Sequence, residues 1–247
     1  MAKRTFKIWR GDKKAAAFVA FETDITEGMV VLDAVHQIQA ESAGDLAVRW
    51  NCKAGKCGSC SAEINGMPKL MCMTRMQDLP ENDDVTIEPM KAFPLIKDLV
   101  TDVSWNFEVK KKLRKFKPRK PDAADGTWRM SQADVERPQE FRKCIECFLC
   151  QDVCHVLRDH QKHDEFIGPR YLMYTAMMEM HPLDTDDRVM DLKEKQGIGY
   201  CNITKCCTKV CPENIAITDN AIIPMKERVV DRVYDPIRRV LRVLTGK

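Results

Sequence analysis

Residues 144–154 read Cys144-Ile-Glu-Cys147-Phe-Leu-Cys150-Gln-Asp-Val-Cys154, and residues 201–212 read Cys201-Asn-Ile-Thr204-Lys-Cys206-Cys207-Thr-Lys-Val-Cys211-Pro212. The first run has the C-x2-C-x2-C-x3-C spacing of 4Fe–4S sites, in which the fourth cysteine serves a second cluster held by a partner run. The second run is that partner when aligned on its Cys-Pro end. Cys201, Cys207 and Cys211 then match Cys144, Cys150 and Cys154, and the second ligand position falls on Thr204. Crossing the fourth cysteines gives Cys144, Cys147, Cys150 and Cys211 to a 4Fe–4S centre. Cys154, Cys201 and Cys207 remain for a 3Fe–4S centre, one thiolate short.

Upstream, Cys52-Lys-Ala-Gly-Lys-Cys57-Gly-Ser-Cys60 and a distant Cys72 show the C-x4-C-x2-C…C pattern of a plant-type 2Fe–2S site. Gly55 and Gly58 allow the backbone to wrap close to the sulfurs. Gly55-Lys56 is no phosphate loop, because the flanking glycine and trailing Ser/Thr are absent. The three sets use eleven of the twelve cysteines and leave Cys206, which reads as an inert thiol beside a cluster. Zinc remains a remote alternative, a zinc-structured adaptor. Its four-cysteine sites pair two C-x2-C units across a longer gap, unlike these runs. The histidines His36, His155, His160, His163 and His181 show no ligand spacing among themselves.

Composition agrees with this reading. The chain has 247 residues, 44% hydrophobic and 31% charged, enough for two small globular domains. Clustered cysteines without an export signal point to metal ligands rather than disulfides. The formal charge of +3 counts thiols as neutral; three thiolate-bound centres of roughly −2 each would reverse it, so nucleic-acid binding is not implied. No apolar window is long enough to span a bilayer, and the N-terminus has no secretory or transit character, which sets the expectation of a cytoplasmic chain.

Residues 3–10 alternate as a strand, 11–14 turn, and 17–24 return. Val31, Val35 and Ile38 predict a helix from Gly28 to about Ala43, a hairpin turns at Asn65-Gly66, and Val85–Ile87 is a late strand. The fold class is therefore α+β, with a small 2Fe–2S domain over 1–94 and a helical domain binding the other two clusters over 95–247. Within the latter, Ile96, Leu99, Val100, Val103 and Phe107 predict an amphipathic helix. Residues 110–120 carry eight Lys/Arg in eleven positions and read as a solvated connector. Pro169 starts a buried helix ending before Pro182. A terminal helix is expected from Val230, Val233, Ile237, Val240 and Leu244, interrupted at Pro236, with Arg238, Arg239, Arg242 and Lys247 on its polar side.

The chain resembles the iron–sulfur subunit of succinate dehydrogenases and quinol:fumarate reductases. The matching stretches are Trp50-Asn-Cys52 to Cys60, Phe93-Pro94-Leu95-Ile96-Lys97-Asp98-Leu99-Val100, Phe166-Ile167-Gly168-Pro169 and both C-terminal cysteine runs. The resemblance implies a β-grasp N-terminal domain and a helical, bacterial-ferredoxin-like C-terminal domain. It also implies a flavoprotein partner carrying FAD, membrane anchor subunits with quinone near the 3Fe–4S end, and a peripheral place on the cytoplasmic side of the cell membrane. The chain would then serve succinate:quinone oxidoreduction, in the tricarboxylic acid cycle and respiratory chain, without a dicarboxylate site of its own. A soluble flavin dehydrogenase or fumarate reductase is the alternative assembly. Two positions depart from the family pattern. Cys154 is followed by His155-Val156-Leu157-Arg158 rather than by proline and a quinone-site tryptophan, and Asn202 stands where members often have histidine. His155, Arg158 and Asn202 are thus candidates for the quinone-proximal surface by position alone.

Overall fold

The computed structural model describes residues 2–81 and 83–237. Its N-terminal half is a mixed five-stranded sheet of order β2-β1-β5-β3-β4, formed by β1 (Ala2–Gly11), β2 (Ala16–Ile25), β3 (Ser61–Ile64), β4 (Met67–Leu70) and β5 (Val85–Glu88). β1 pairs antiparallel with β2, Phe6 opposite Phe21, and parallel with β5, Phe6 opposite Val85. Helix α1 (Val31–Glu41) lies across the sheet. Its Val31, Leu32, Ala34, Val35 and Ile38 are buried with Phe6, Ile8, Ala62, Ile64, Val85 and Ile87 in one core. This is the β-grasp arrangement, and its period-2 and 3.6-period patterns meet on one apolar layer. The β3–β4 turn has Asn65 and Gly66 both left-handed (φ 49° and 74°), as the two-residue turn requires.

The amphipathic helix expected from about residue 96 does not form. The segment is a small hairpin, β6 (Leu95–Lys97) with β7 (Val100–Thr101), and helix begins only at α2 (Ser104–Lys112). Asp98 is the reason. It is buried at the left-handed turn (φ 49°), where its carboxylate accepts from Gly11 N at 2.7 Å, Ala47 N at 2.8 Å and Arg10 Nε at 3.1 Å. Those two backbone N–H groups are partly buried, and Asp98 supplies their acceptor. Distant partners override an accidental three/four spacing.

The second half is helical: α3 (Gln132–Gln139), α4 (Leu149–Asp152), α5 (His155–Arg158), α6 (Gly168–Glu179), α7 (Val189–Glu194), α8 (Cys206–Lys209) and α9 (Ile223–Tyr234). α6 is the central helix, with Pro169 in its first turn and Arg170, Tyr171, Leu172, Met173, Thr175, Ala176 and Met178 buried. Its start is locked to α4. Gln151 Oε1 accepts from Arg170 N at 3.2 Å, Gln151 Nε2 donates to Ile167 O at 3.1 Å, and a Cβ on Gly168 would collide with that amide. A π-helical turn (Ile217–Ile222) leads into α9, which stops at Tyr234. The face expected of this helix is off by one position. Met225 and Val229 are buried and the expected Val233 packs beside them at the core's edge, while Val230 and Ile237 are 52% and 70% exposed. Val240, Leu244, Arg238, Arg239, Arg242 and Lys247 lie outside the described residues. The basic connector is exposed, with several of its cations paired. Lys110 meets Glu146 at 2.5 Å, and Arg114 meets Asp186 and Asp191 at 3.0 and 2.6 Å.

The chain interlocks its two cores. Met90, Ala92 and Phe93 pack with the helices, whereas Leu99, Cys147 and Leu149 pack with the sheet. Glu63, fully buried on β3, takes a two-pronged ion pair from Arg158 of α5 (2.6 and 2.9 Å), and Lys91 approaches at 3.3 Å.

Candidate iron–sulfur centres

The loop between α1 and β3 wraps the first cysteine set. Lys53, Gly55 and Gly58 are left-handed (φ 54°, 66° and 68°), which turns successive N–H groups toward sulfur. Ala54 N and Lys56 N donate to Cys52 Sγ (3.4 and 3.3 Å), Ser59 N to Cys57 Sγ (3.5 Å) and Cys72 N to Cys60 Sγ (3.5 Å). Such donors favour sulfur that carries negative charge. Burial alone would raise the Cys57 thiol, but hydrogen bonds from the Cys52 and Ser59 backbone N–H groups, among others, bring it down to about 6. Cys60 is pushed up to about 12 by burial, with Cys72 and Cys57 adding to the rise. Iron bound here would hold these sulfurs as thiolates and offset their charge.

The second and third runs have the same backbone. Glu146 and Phe148 are left-handed (φ 54° and 62°), and so are Ile203 and Lys205 (φ 62° and 61°), each 57 positions later. α4 begins at Leu149 and α8 at Cys206, again 57 apart. Left-handed non-glycine residues are uncommon, so two such pairs in the same register are a structural repeat. In that repeat Thr204 lies where the second run has Cys147.

The cysteines of the second and third runs gather around two cavities. Cys144, Cys147, Cys150 and Cys211 line one cavity between α4 and α6. Cys154, Cys201 and Cys207 line another, together with Thr204 and Cys206. Among the described residues no three Cys, His, Asp or Glu side chains converge tightly enough for a single metal ion; each set instead surrounds a space. Burial pushes Cys147 and Cys154 up to about 12 and Cys207 to about 11, and holds the Cys150 thiol well above its ordinary value. An acidic iron–sulfur group fits the first of these cavities. Arg170, 5% exposed, lines it with its Nε buried and unpaired, while Nη2 holds Glu146 at 2.7 Å. A buried guanidinium with a free N–H suits a cluster of net negative charge.

Several contributors were not visible in the sequence. Arg170 was hidden in an apolar-looking helix. Thr218, whose hydroxyl stands 3.3 Å from Cys207 Sγ, lies beyond both motifs. Gly58 joins the first two centres: a Cβ there would fall 2.5 Å from Cys147 Cα, so the loops touch, and Ser61 Oγ stands 2.9 Å from the Cys147 carbonyl oxygen. Of the quinone-proximal candidates, His155 and Asn202 line the cavity of the third set. Arg158 does not; its guanidinium is committed to Glu63.

Residues 5–108 match the family model of a 2Fe-2S iron-sulfur cluster binding domain, and residues 140–215 that of a 4Fe-4S dicluster domain. A fumarate reductase iron-sulfur subunit of Mycobacterium tuberculosis is 34% identical over 82% of each chain. The chain belongs to the iron–sulfur subunits of succinate dehydrogenases and fumarate reductases. A succinate dehydrogenase iron-sulfur subunit of Paracoccus denitrificans is 27% identical over 93% of this chain and 89% of its own. The Mycobacterium smegmatis Sdh1 complex in the apo form includes a chain 57% identical to this one, with a TM-score of 0.91 over 95% of this chain and 98% of that one. As a member of this family the protein is an electron-transfer subunit of an oxidoreductase complex, with a 2Fe–2S and a 4Fe–4S domain. No described helix is long and apolar enough to cross a membrane.

Proposed function

We propose that Cys52, Cys57, Cys60 and Cys72 hold the 2Fe–2S cluster, Cys144, Cys147, Cys150 and Cys211 a 4Fe–4S cluster, and Cys154, Cys201 and Cys207 a 3Fe–4S cluster. The two functional units are residues 1–94 and 95–247. The observation that carries this reading is the repeated left-handed backbone of the second and third runs, which makes Thr204, with no sulfur, the counterpart of Cys147. The clusters supply one-electron carriers; the chain spaces them, keeps water from them and donates hydrogen bonds to their sulfurs.

Loaded with these clusters, the chain would carry electrons between the FAD of a flavoprotein subunit and quinone at membrane anchor subunits, in the order 2Fe–2S, 4Fe–4S, 3Fe–4S or its reverse. Contact of Gly58 with Cys147 supports the first step. The exchange of Cys154 and Cys211 between neighbouring cavities supports the second. At one end, Trp50 and Met73 are 48% and 57% exposed beside the first loop and suit the flavoprotein. At the other, Tyr200 and Ile203 are 47% and 38% exposed beside the third run and suit an anchor, with the complex on the cytoplasmic face of the cell membrane. His155 and Asn202 are the residues nearest such a quinone.

Cys57→Ala tests the order. The variant should lose the 2Fe–2S EPR signal, keep the other two, and no longer pass electrons from succinate to them. Quinone reduction at the wild-type rate in a variant lacking 2Fe–2S would overturn the proposal.

A further inference from the structure

Cys206 is the cysteine that the three sets leave over, yet it lines the third cavity with Cys154, Cys201 and Cys207. Thr204 fills the position of the absent fourth ligand, and its hydroxyl donates to Cys206 Sγ at 3.2 Å. A thiol therefore stands one hydrogen bond from the side chain that marks the open corner. The repeat makes this placement specific. Leu149 is the counterpart of Cys206 at the start of α4, and it is buried in the sheet core, 1% exposed. The same backbone position at α8 carries sulfur, half-buried and facing the cavity.

We propose that Cys206 is a reserve ligand that closes the third centre when iron(II) is abundant. The proposal rests on the ligand assignment above. After one-electron reduction of the three-iron centre, Cys206 gives its proton to solvent and its sulfur forms a bond to an incoming iron(II), displacing a water from that iron. The iron keeps its valence on entry, so the only electron consumed is the one that reduced the centre, supplied physiologically by succinate through the complex and in the test by dithionite.

The test uses the intact complex, reduced anaerobically with dithionite, incubated with ferrous ammonium sulfate, desalted and mildly reoxidised. In the wild type the 3Fe–4S EPR signal should vanish and bound iron should rise by one atom per chain. In Cys206→Ala both should stay at their starting values. Alkylation read by mass spectrometry gives a second measure in the unaltered protein. Cys206 should be labelled by iodoacetamide in the as-isolated complex and protected after iron loading. Equal conversion in Cys206→Ala, no conversion in the wild type, or Cys206 labelling unchanged by iron would each overturn the proposal. A wild-type complex with no 3Fe–4S signal as isolated would overturn the ligand assignment instead.

Discussion

Removing the Arg158 guanidinium should loosen the joint between the two halves rather than impair quinone chemistry. Glu63 is fully buried on β3, and Arg158 supplies both prongs of its ion pair at 2.6 and 2.9 Å. Arg158→Met would leave that carboxylate facing Lys91 at 3.3 Å, a cation whose side chain is 42% exposed and only partly desolvated. Breaking a buried pair from one side costs about 3–5 kcal/mol. Lys91 keeps the cost near the lower bound, about 3 kcal/mol. Adding Glu63→Gln removes the stranded charge, and the double variant should recover all but about 1 kcal/mol of it. The assay is the rate at which the visible cluster absorbance bleaches at a fixed elevated temperature, because cluster loss makes unfolding irreversible. Arg158→Met should bleach about a hundredfold faster, each 1.4 kcal/mol being a factor of ten. The double variant should bleach within about tenfold of the wild type. Wild-type bleaching with a selective loss of quinone reduction in the single variant would refute the argument and return Arg158 to the quinone surface. A double variant no slower to bleach than the single would refute the pairing.

Gly58→Ala should weaken the contact between the first two centres. A left-handed alanine costs about 1–2 kcal/mol, and the new Cβ must also push back Cys147 Cα from 2.5 Å; the magnetic coupling between reduced 2Fe–2S and 4Fe–4S in EPR should fall. Thr204→Cys restores a thiol at the position equivalent to Cys147, so the third centre should form with four irons without added iron(II), at a lower potential, and an intact 3Fe–4S signal would show the register to be wrong. Stripping iron with a chelator should unfold the helices before the sheet, since Cys150, Cys154 and Cys207 sit in the helical core, whereas the sheet core, which also includes Cys60, Cys72 and Cys147, is further held by the pairing of β1 with β2 and β5; amide hydrogen exchange should show α6 deprotected and β1 still protected. Trp50→Glu places a charge on the exposed face beside the first loop and should reduce the yield of co-purified flavoprotein in mild detergent, leaving all three EPR signals in place.

Much of this protein was legible because its signals are local. Cysteine spacing is set by the reach of a few residues around a cluster, and the register on the Cys-Pro end follows from that reach alone. The Asn65-Gly66 turn and the Pro169 helix start are likewise decided by the φ values those residues accept. The rest depends on partners far apart in the chain. Asp98 breaks an apparent helix because Gly11 and Ala47 need an acceptor. Arg158 looks like a surface cation beside the second run until Glu63, 95 positions earlier, is seen beneath it. Arg170 sits in an apolar-looking stretch and is buried against thiols. The α9 face shifts by one position because the packing of Met225 and Val229, not the average of the stripe, chooses it. By itself the sequence proposed three clusters and a grouping of the cysteines, because ligand spacing is covalent geometry. Only the tertiary structure decided which charges meet across the joint and that Cys206 faces the third cavity, because a buried charge or thiol acquires its role from whatever the fold sets against it.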